Sequence, residues 1–163
     1  MRNQNLIIRT ADKQDLPAIN RIIESAVMRW QLPERVKRLA LPSYRYDEID
    51  LQHFQILLAE EESHIIGVAA WDSEPHKGPG DCAGVLLHGI YVDPEQQRRG
   101  IGKQLLQAVE ESIKHSSHKP KLEGLLVKAQ KDAEDFFRAQ GLQRLAVDDP
   151  ERDYENRYWK PLH

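Results

Sequence analysis

The amino-acid sequence predicts an α/β protein in which a mixed sheet carries helices on both faces. Segments with the apolar, β-branched character of strands alternate with segments whose apolar residues recur every three or four positions, the spacing of one helical face. A particularly regular unit runs from Leu86 to Ile113, where a buried strand, a glycine turn and a helix follow one another. The length of 163 residues suits a single domain, which we predict to span residues 1–163.

The other elements are predicted from the same two periodicities and from turn residues. Residues 31–53 are the least regular stretch, and their aromatic and basic side chains suit either the wall of a binding site or a solvated connection. Prolines and glycines mark residues 75–81 as a loop. In chain order we predict a strand at 6–9, a helix at 16–30, short helices near 34–39 and 48–53, strands at 55–60, 64–71 and 83–92, a helix from 101 to about 115, a strand at 122–127, a short helix ended by Gly141, and a closing hairpin of residues 142–147 and 154–159.

Composition and charge bear on the class of function. The net charge of −3 gives no overall field that favours nucleic acid or an anionic membrane, so neither is expected as a partner. The apolar run at residues 65–71 is far shorter than the roughly 20 residues of a membrane span. Cys82 is the single cysteine, which fits a reducing compartment, and the N-terminus lacks a signal-peptide pattern, so we expect a cytoplasmic protein. The seven histidines show no metal-ligand spacing, so no metal is expected.

The turn between residues 97 and 103 has the properties of an anion site. Gly100 and Gly102 lack a Cβ atom, so a ligand can approach the backbone closely. The first amides of the following helix have no intrahelical partner and lie at the positive end of the helix dipole, which favours phosphate. Positive charge is added by three side chains, Arg98, Arg99 and Lys103. The alternative is a helix start with a solvated basic face.

Two common phosphate-binding motifs do not fit this turn. A P-loop has four residues between its glycines and Ser or Thr after its lysine, whereas here one residue separates the glycines and Gln104 follows Lys103. The dinucleotide-binding fingerprint requires a third glycine three positions after the second, but Leu105 stands there instead. The turn therefore belongs to another class of anion site.

The remaining pattern, Q-x-x-G-x-G at Gln97, Gly100 and Gly102, resembles the acetyl-CoA signature of the GCN5-related N-acetyltransferases, abbreviated GNAT. The preceding I-Y-V-D-P, the following K-Q-L-L and the element order along nearly the whole chain share this resemblance, which is weakest over residues 31–53. The resemblance implies a GNAT-like acyl-CoA N-acyltransferase fold. In that fold a mostly antiparallel sheet is splayed after the fourth strand.

The resemblance also implies a reaction and a donor substrate. Acetyl-CoA would lie in the splayed sheet, and its acetyl group would pass directly from the thioester to a primary amine of a small molecule or protein. Ile90 and Val92 would supply main-chain contacts to pantetheine and acetyl, and the Ile90 N–H would stabilise the oxyanion. The pyrophosphate would be cradled by Gln97, Arg98, Arg99, Gly100, Ile101, Gly102 and Lys103.

His88 is the candidate general base. It precedes Gly100 by twelve residues, the distance at which arylalkylamine members of the family place a catalytic histidine. Period-two alternation predicts that it shares a strand face with Ile90 and Val92. A histidine titrates near pH 6.5, which suits proton removal from an ammonium group. The alternative is a half-buried strand histidine with a structural hydrogen bond, since other family members use a water chain or a glutamate.

Phe137 departs from the family pattern. It stands four residues before Gly141, where the family usually has the tyrosine that protonates the departing thiolate, and Gln130 replaces the usual asparagine. Phe137 is therefore expected to pack against the cofactor or the core. The thiolate would leave unassisted, through water, or with a proton from another tyrosine, for which the candidates are Tyr91, Tyr154 and Tyr158.

Several alternative functions follow from this departure and from the expectation that the turn contacts neither the acyl group nor the acceptor. The chain could be a CoA-binding or interaction module with lost or weak catalysis. It could also use another acyl group or a hydroxyl acceptor, because the turn contacts only the CoA part of the donor. Family members are often dimers, so a homodimer is an option. Acceptor specificity is expected from residues 30–53 and from the loops near 75–81 and 148–157.

Overall fold

The computed structural model describes residues 5–147, 149–151 and 156–163. These residues form an eight-stranded mixed sheet flanked by helices on both faces, which confirms the predicted fold class. The strands are β1 (Leu6–Thr10), β2 (Phe54–Glu61), β3 (His64–Asp72), β4 (His76–Lys77), β5 (Ala83–Val92), β6 (Gly124–Lys128), β7 (Gln143–Arg144) and β8 (Arg157–Pro161). The helices are α1 (Leu16–Val27), α2 (Glu34–Tyr44), α3 (Asp50–His53), α4 (Ile101–Lys114) and α5 (Glu134–Ala139).

The strands follow the spatial order β1-β2-β3-β5-β6-β8-β7, and β4 pairs with the beginning of β5. All described pairs are antiparallel except β5 with β6. Strand β4 is a correction to the prediction of a loop at 75–81, because His76 and Lys77 pair with Gly84 and Ala83. The strand before the glycine turn is consequently the fifth along the chain and not the fourth.

Helix α2 is longer than the sequence suggested. It continues past the predicted end at residue 39 and contains Pro42. Its buried Lys37 donates from Nζ to the Met28 carbonyl at 2.8 Å, which satisfies a main-chain acceptor just past the end of α1. The predicted closing hairpin is present as the pair β7–β8, but Tyr154 lies outside the described residues. Over the described ranges, every helix is too short or too polar to cross a bilayer.

Two apolar clusters cover the two faces of the sheet. On one face, Ile19, Ile23 and Val27 of α1 pack against β2, β3 and Tyr91 of β5. On the other face, α4 packs against β2, β3 and β5, and its Leu105 is fully buried. Leu105 lies so close to the β3 backbone that a Cβ added to Gly67 would lie 2.9 Å from its Cδ1 atom. The spacing that predicted both helices therefore also fixes which face each one buries.

The sheet opens beyond Leu87. Strand β5 pairs with β3 from Leu87 to Val92, but it pairs with β6 only from Gly84 to Leu87. Within the described residues, the edge of β5 from His88 to Val92 that faces β6 therefore has no strand partner. This divergence confirms the splayed sheet that the family resemblance implied.

We predict that Leu105→Ala lowers the free energy of unfolding by about 3 kcal/mol, because it removes fully buried methyl groups and leaves a cavity between α4 and β3. Chemical denaturation monitored by circular dichroism measures this change. Leu39→Ala is the matched control, since Leu39 is 72% exposed on α2, and the expected change there is within about 0.5 kcal/mol. Equal effects of the two substitutions would contradict the packing described here.

Candidate active site

A cleft of about 460 Å³ opens where β5 leaves β6. One wall is formed by the end of β5, the glycine turn and the first turn of α4. The opposite wall comes from the segment that enters and forms α5. The lining residues are Ile90, Val92, Gln96, Gln97, Arg98, Gly100, Ile101, Gly102 and Lys103 on the first wall, and Asp132, Ala133, Phe136 and Gln140 on the second. We call this space the donor cleft.

The backbone of the turn requires glycine at position 100. Gly100 has φ = +74°, a left-handed backbone conformation that residues with a side chain adopt only with strain. A Cβ atom at this position would meet no atom within 4 Å, so the space beside Gly100, which lines the donor cleft, is open. The first main-chain bond of α4 runs from the Gln104 N–H to the Gly100 carbonyl at 3.0 Å. The N–H groups of Ile101, Gly102 and Lys103 thus have no acceptor in the helix.

Gly102 has a different role. A Cβ atom there would lie 3.3 Å from the ring of Phe136 and 3.7 Å from Cγ2 of Val92. The missing side chain lets the aromatic ring of the opposite wall approach the start of α4. Phe136 thereby sets the width of the donor cleft at the point where the helix begins.

Arg99 is an exception among the predicted phosphate ligands. Its Nη1 atom donates to Oε1 of Glu61 on β2 at 3.0 Å and also to Gln96. This pairing raises the pKa of Arg99 and lowers that of Glu61. The Arg99 side chain ties the turn to the sheet and does not line the donor cleft, whereas the side chains of Arg98 and Lys103 do line it.

A β-bulge determines where the His88 side chain lies. Gly89 pairs with Ala70 and Leu87 pairs with Trp71, so His88 is an extra residue in β5. Leu87 and Ile90 consequently both pack on the α4 side of the sheet, and the His88 ring contacts residues of the α1 side. The prediction that His88 shares a face with Ile90 and Val92 is therefore wrong. Strict alternation fails at a bulge, because the added residue re-aims the side chains around it.

The His88 ring is enclosed on one side and open to solvent on the other. Its Nδ1 atom lies 2.7 Å from the hydroxyl of Tyr46, and its ring lies 4.6 Å from that of Phe54. Desolvation by these neighbours lowers the pKa of His88, and the carboxylates of Asp50 and Asp72 partly offset this effect. A neutral imidazole at neutral pH is the form that a general base requires.

A second, smaller cavity of about 140 Å³ lies beside His88, and we call it the inner cavity. It shares Ile90 and Ala133 with the donor cleft, so the two spaces meet between these two residues. Aromatic rings of Trp30 and Tyr44, in edge-to-face contact at 5.3 Å, form part of its wall. Tyr44, from the irregular stretch at 31–53, thus lines the inner cavity together with Trp30.

The tyrosines and Phe137 occupy distinct places. Phe137 is buried in the core on the α4 side and is among the residues that line the inner cavity. Tyr158 is completely buried, and its hydroxyl donates to Oε1 of Glu134 at 2.9 Å, which removes it from the candidate acids. Tyr91 lines the inner cavity, and burial raises its pKa so that it stays protonated. Tyr154 is outside the described residues.

The second wall of the donor cleft was missed by the sequence reasoning. Asp132, Phe136 and Gln140 are distant in sequence from the glycine turn and reach it only because the chain returns over the open sheet. Asp132 also accepts a hydrogen bond from the main-chain N–H of Gln31 at 2.8 Å, which joins the segment after α1 to the segment after β6 across the opening. Asp132, Phe136 and Gln140 are spaced four residues apart, and this spacing was the one feature of the sequence that could have grouped them.

Comparison with known proteins identifies the class to which this fold and cleft belong. Residues 28–154 match the family described as the acetyltransferase (GNAT) domain. The match covers more than half of the chain, and the chain therefore belongs to the GNAT acetyltransferase family. The predicted family and the predicted class of enzyme are confirmed. A search among curated proteins gave no match.

Solved structures with this fold are similar to nearly the whole chain. PaiA N-acetyltransferase from Thermoplasma acidophilum, in complex with coenzyme A, has a TM-score of 0.74 at 16% identity, with 96% of this chain and 98% of that chain covered. AtaTR bound with acetyl-CoA has a TM-score of 0.67 at 16% identity, with 98% and 94% covered. The KacTA–DNA complex has a TM-score of 0.64 at 17% identity, with 96% and 93% covered. At these identities the likeness shows the fold.

These structures correct the expected set of partners. The exclusion of nucleic acid is wrong, because a chain of the same fold is part of a complex with DNA. Another similar structure is a mutant AtaT toxin bound to the C-terminus of the antitoxin AtaR and acetyl-CoA, with a TM-score of 0.66 at 17% identity and with 97% of this chain and 94% of that chain covered. The exclusion rested on the net charge of −3, which describes the whole chain and not the local distribution of charge on its surface.

Proposed function

We propose that this chain transfers the acetyl group of acetyl-CoA directly to a primary amine of a small molecule or a protein. The proposal takes residues 1–163 as one acetyltransferase domain. The observation that carries it is the free edge of β5, which leads into a glycine turn that opens on the donor cleft. Similar structures that contain coenzyme A or acetyl-CoA support the choice of donor.

Main-chain groups hold most of the donor in this proposal. The N–H groups of Ile101, Gly102 and Lys103 bind the pyrophosphate at the start of α4. The side chains of Arg98 and Lys103 and the polar group of Gln97 add contacts from the rim. The free edge at Ile90 and Val92 pairs with the amides of pantetheine, which supplies the strand partner that β6 does not. A strand edge offers N–H and C=O groups in a fixed row, and this fixes the depth of the thioester.

The chemical step uses the junction of the donor cleft and the inner cavity. The amine nitrogen attacks the thioester carbonyl carbon, and the Ile90 N–H stabilises the oxyanion that forms. The carbon–sulfur bond then breaks and releases CoA as a thiolate. His88 takes the proton of the amine, directly or through one water.

The leaving group requires little help. A thiol with a pKa of about 8.5 gives a stable thiolate, so the reaction proceeds with Phe137 in the family's tyrosine position. Tyr91 is the candidate acid that lines the inner cavity. The inner cavity of about 140 Å³ suits an acetyl group better than a long acyl chain.

A second candidate function is CoA binding without turnover. Phe137 favours it, because a buried phenyl ring cannot donate a proton to the thiolate. The acetyltransferase proposal requires both binding and turnover, whereas this alternative requires binding alone.

Two measurements test the proposed function. Acetyl-CoA is expected to raise the melting temperature of the protein and to bind in calorimetry, because binding to the native state stabilises it. Release of CoA in the presence of a panel of primary amines is expected above the rate of hydrolysis without amine. Absence of binding refutes both candidates, and binding without amine-dependent release supports the second one.

We predict that Gly100→Val weakens acetyl-CoA binding roughly 100-fold or more, a loss of about 2.7 kcal/mol, because its side chain fills the empty side of the turn. Calorimetry measures the change in Kd. Gly80→Val is the matched control, since Gly80 has φ = +70° with open space around it and lies outside the donor cleft. It carries the same backbone strain, and its Kd is expected to match that of the wild type. Tight binding by the Gly100 variant would contradict the assigned phosphate site.

We predict that His88→Gln lowers kcat/KM roughly 100-fold and removes the acid limb of its pH profile. In the wild type, activity is lost as falling pH protonates His88. Because the pKa of His88 is lowered, this loss occurs below the ordinary histidine value of about 6.5. His64→Gln is the control, since His64 is an exposed residue of β3 that bonds the Glu62 carbonyl. An unchanged rate and profile for His88→Gln would remove His88 from the mechanism.

A further inference from the structure

Tyr46 is held more firmly than its place in an irregular segment suggests. Its side chain is only 3% exposed and belongs to the apolar cluster on the α1 side. Asn20 of α1 binds both of its main-chain groups: Asn20 Oδ1 accepts from the Tyr46 N–H at 2.9 Å, and Asn20 Nδ2 donates to the Tyr46 carbonyl at 2.9 Å. The backbone of Tyr46 is therefore fixed relative to a helix of the core.

The fixed backbone of Tyr46 places its side-chain hydroxyl next to the His88 ring. The Tyr46 hydroxyl lies 2.7 Å from Nδ1 of His88, and Phe54 packs against both rings, with centroids 5.7 Å from Tyr46 and 4.6 Å from His88. The imidazole is thus held by a hydrogen bond along one edge and by an aromatic ring beside it. Since the bulge makes His88 an extra residue of β5, strand pairing alone does not fix this ring.

We propose that Tyr46 is the positioning residue of His88: its hydroxyl fixes the imidazole ring beside the inner cavity and accepts the Nδ1–H bond of the imidazolium that forms when Nε2 takes the proton of the amine. This proposal rests on the proposed function and assigns it a residue that the sequence placed only in a possible site wall. Tyr46 itself does not touch the reacting atoms.

The proton balance of the step is simple. One proton moves from the amine nitrogen to Nε2 of His88, and none moves to Tyr46, because burial raises the pKa of the phenol and keeps it neutral. The imidazolium then carries hydrogen on both nitrogens, so Nδ1 must donate, and the hydroxyl oxygen at 2.7 Å is its acceptor. A hydrogen bond from a charged donor is about twice as strong as a neutral one, so Tyr46 stabilises the charged form of His88 more than the neutral form.

The other ionisable groups that face His88 come from two further elements. Asp50 belongs to α3 and Asp72 ends β3, and both carboxylates favour the imidazolium. Asp72 is itself bonded to His76 at 2.9 Å between Oδ2 and Nε2. A substitution that leaves these groups in place and removes only the phenol oxygen isolates the contribution of Tyr46.

Tyr46→Phe is that substitution, and it is tested by NMR titration of the ¹⁵N-labelled His88 ring and by the pH profile of kcat/KM. We expect the pKa of His88 to fall by up to about one pH unit, since one unit corresponds to a tenfold change in the protonation equilibrium. We expect kcat/KM on the plateau to fall roughly tenfold, the effect of about one hydrogen bond, with unchanged Kd for acetyl-CoA. Tyr158→Phe is the matched control, because it also removes a buried hydroxyl, bonded to Glu134, without altering His88.

A double-mutant cycle separates positioning from a general loss of packing. If Tyr46 acts through His88, Tyr46→Phe costs no further activity in a His88→Gln background. An equal loss in both backgrounds, or an unchanged His88 pKa in Tyr46→Phe, overturns the proposal. If the wild type shows no amine-dependent turnover, the proposed function fails by itself, and the NMR titration still decides whether Tyr46 stabilises the imidazolium.

Discussion

The pairing between β5 and β6 stops at Leu87, and this one limit on strand pairing organises the functional part of the molecule. A row of N–H and C=O groups without a protein partner is unfavourable unless water or a ligand satisfies it. Here the edge of β5 from His88 to Val92, which has no strand partner among the described residues, runs directly into the glycine turn and is in line with the proposed anion site at the start of α4. The proposed donor, which has amides near one end and phosphates near the other, would follow that line.

At the other end of this edge, β5 and β6 remain paired, and Trp159 explains why. Trp159 of β8 covers Gly84 of β5 and Gly124 of β6, and a Cβ atom on either glycine would overlap its ring. The two parallel strands are adjacent where glycines make room for the indole, and they separate further along. The register that pairs Gly84 with Gly124 thus keeps the two strands adjacent up to Leu87. Beyond Leu87, the edge of β5 is left without β6 as a partner.

The bulge at His88 distributes the parts of the site between the two faces of the sheet. Ile90 and Val92 remain on the side of α4, where the donor cleft lies, while the imidazole is held by Tyr46 and Phe54 on the side of α1. Under the proposed function, donor and acceptor approach from different faces and meet beside Ile90 of β5. A regular strand would have placed the His88 ring on the same face as Ile90 and Val92.

The sequence by itself determined the strand, the glycine turn and helix α4, because a buried β-branched run, two glycines and a four-residue apolar spacing are local signals. It also determined the fold class and the family, since the element order and the Gln97, Gly100 and Gly102 pattern are readable along the chain. Only the tertiary structure decided the bulge at His88, the partner of Arg99 on β2 and the contact of Tyr46 with His88. Each of these depends on which residues stand opposite one another in neighbouring elements, and that register has no signature in a single segment.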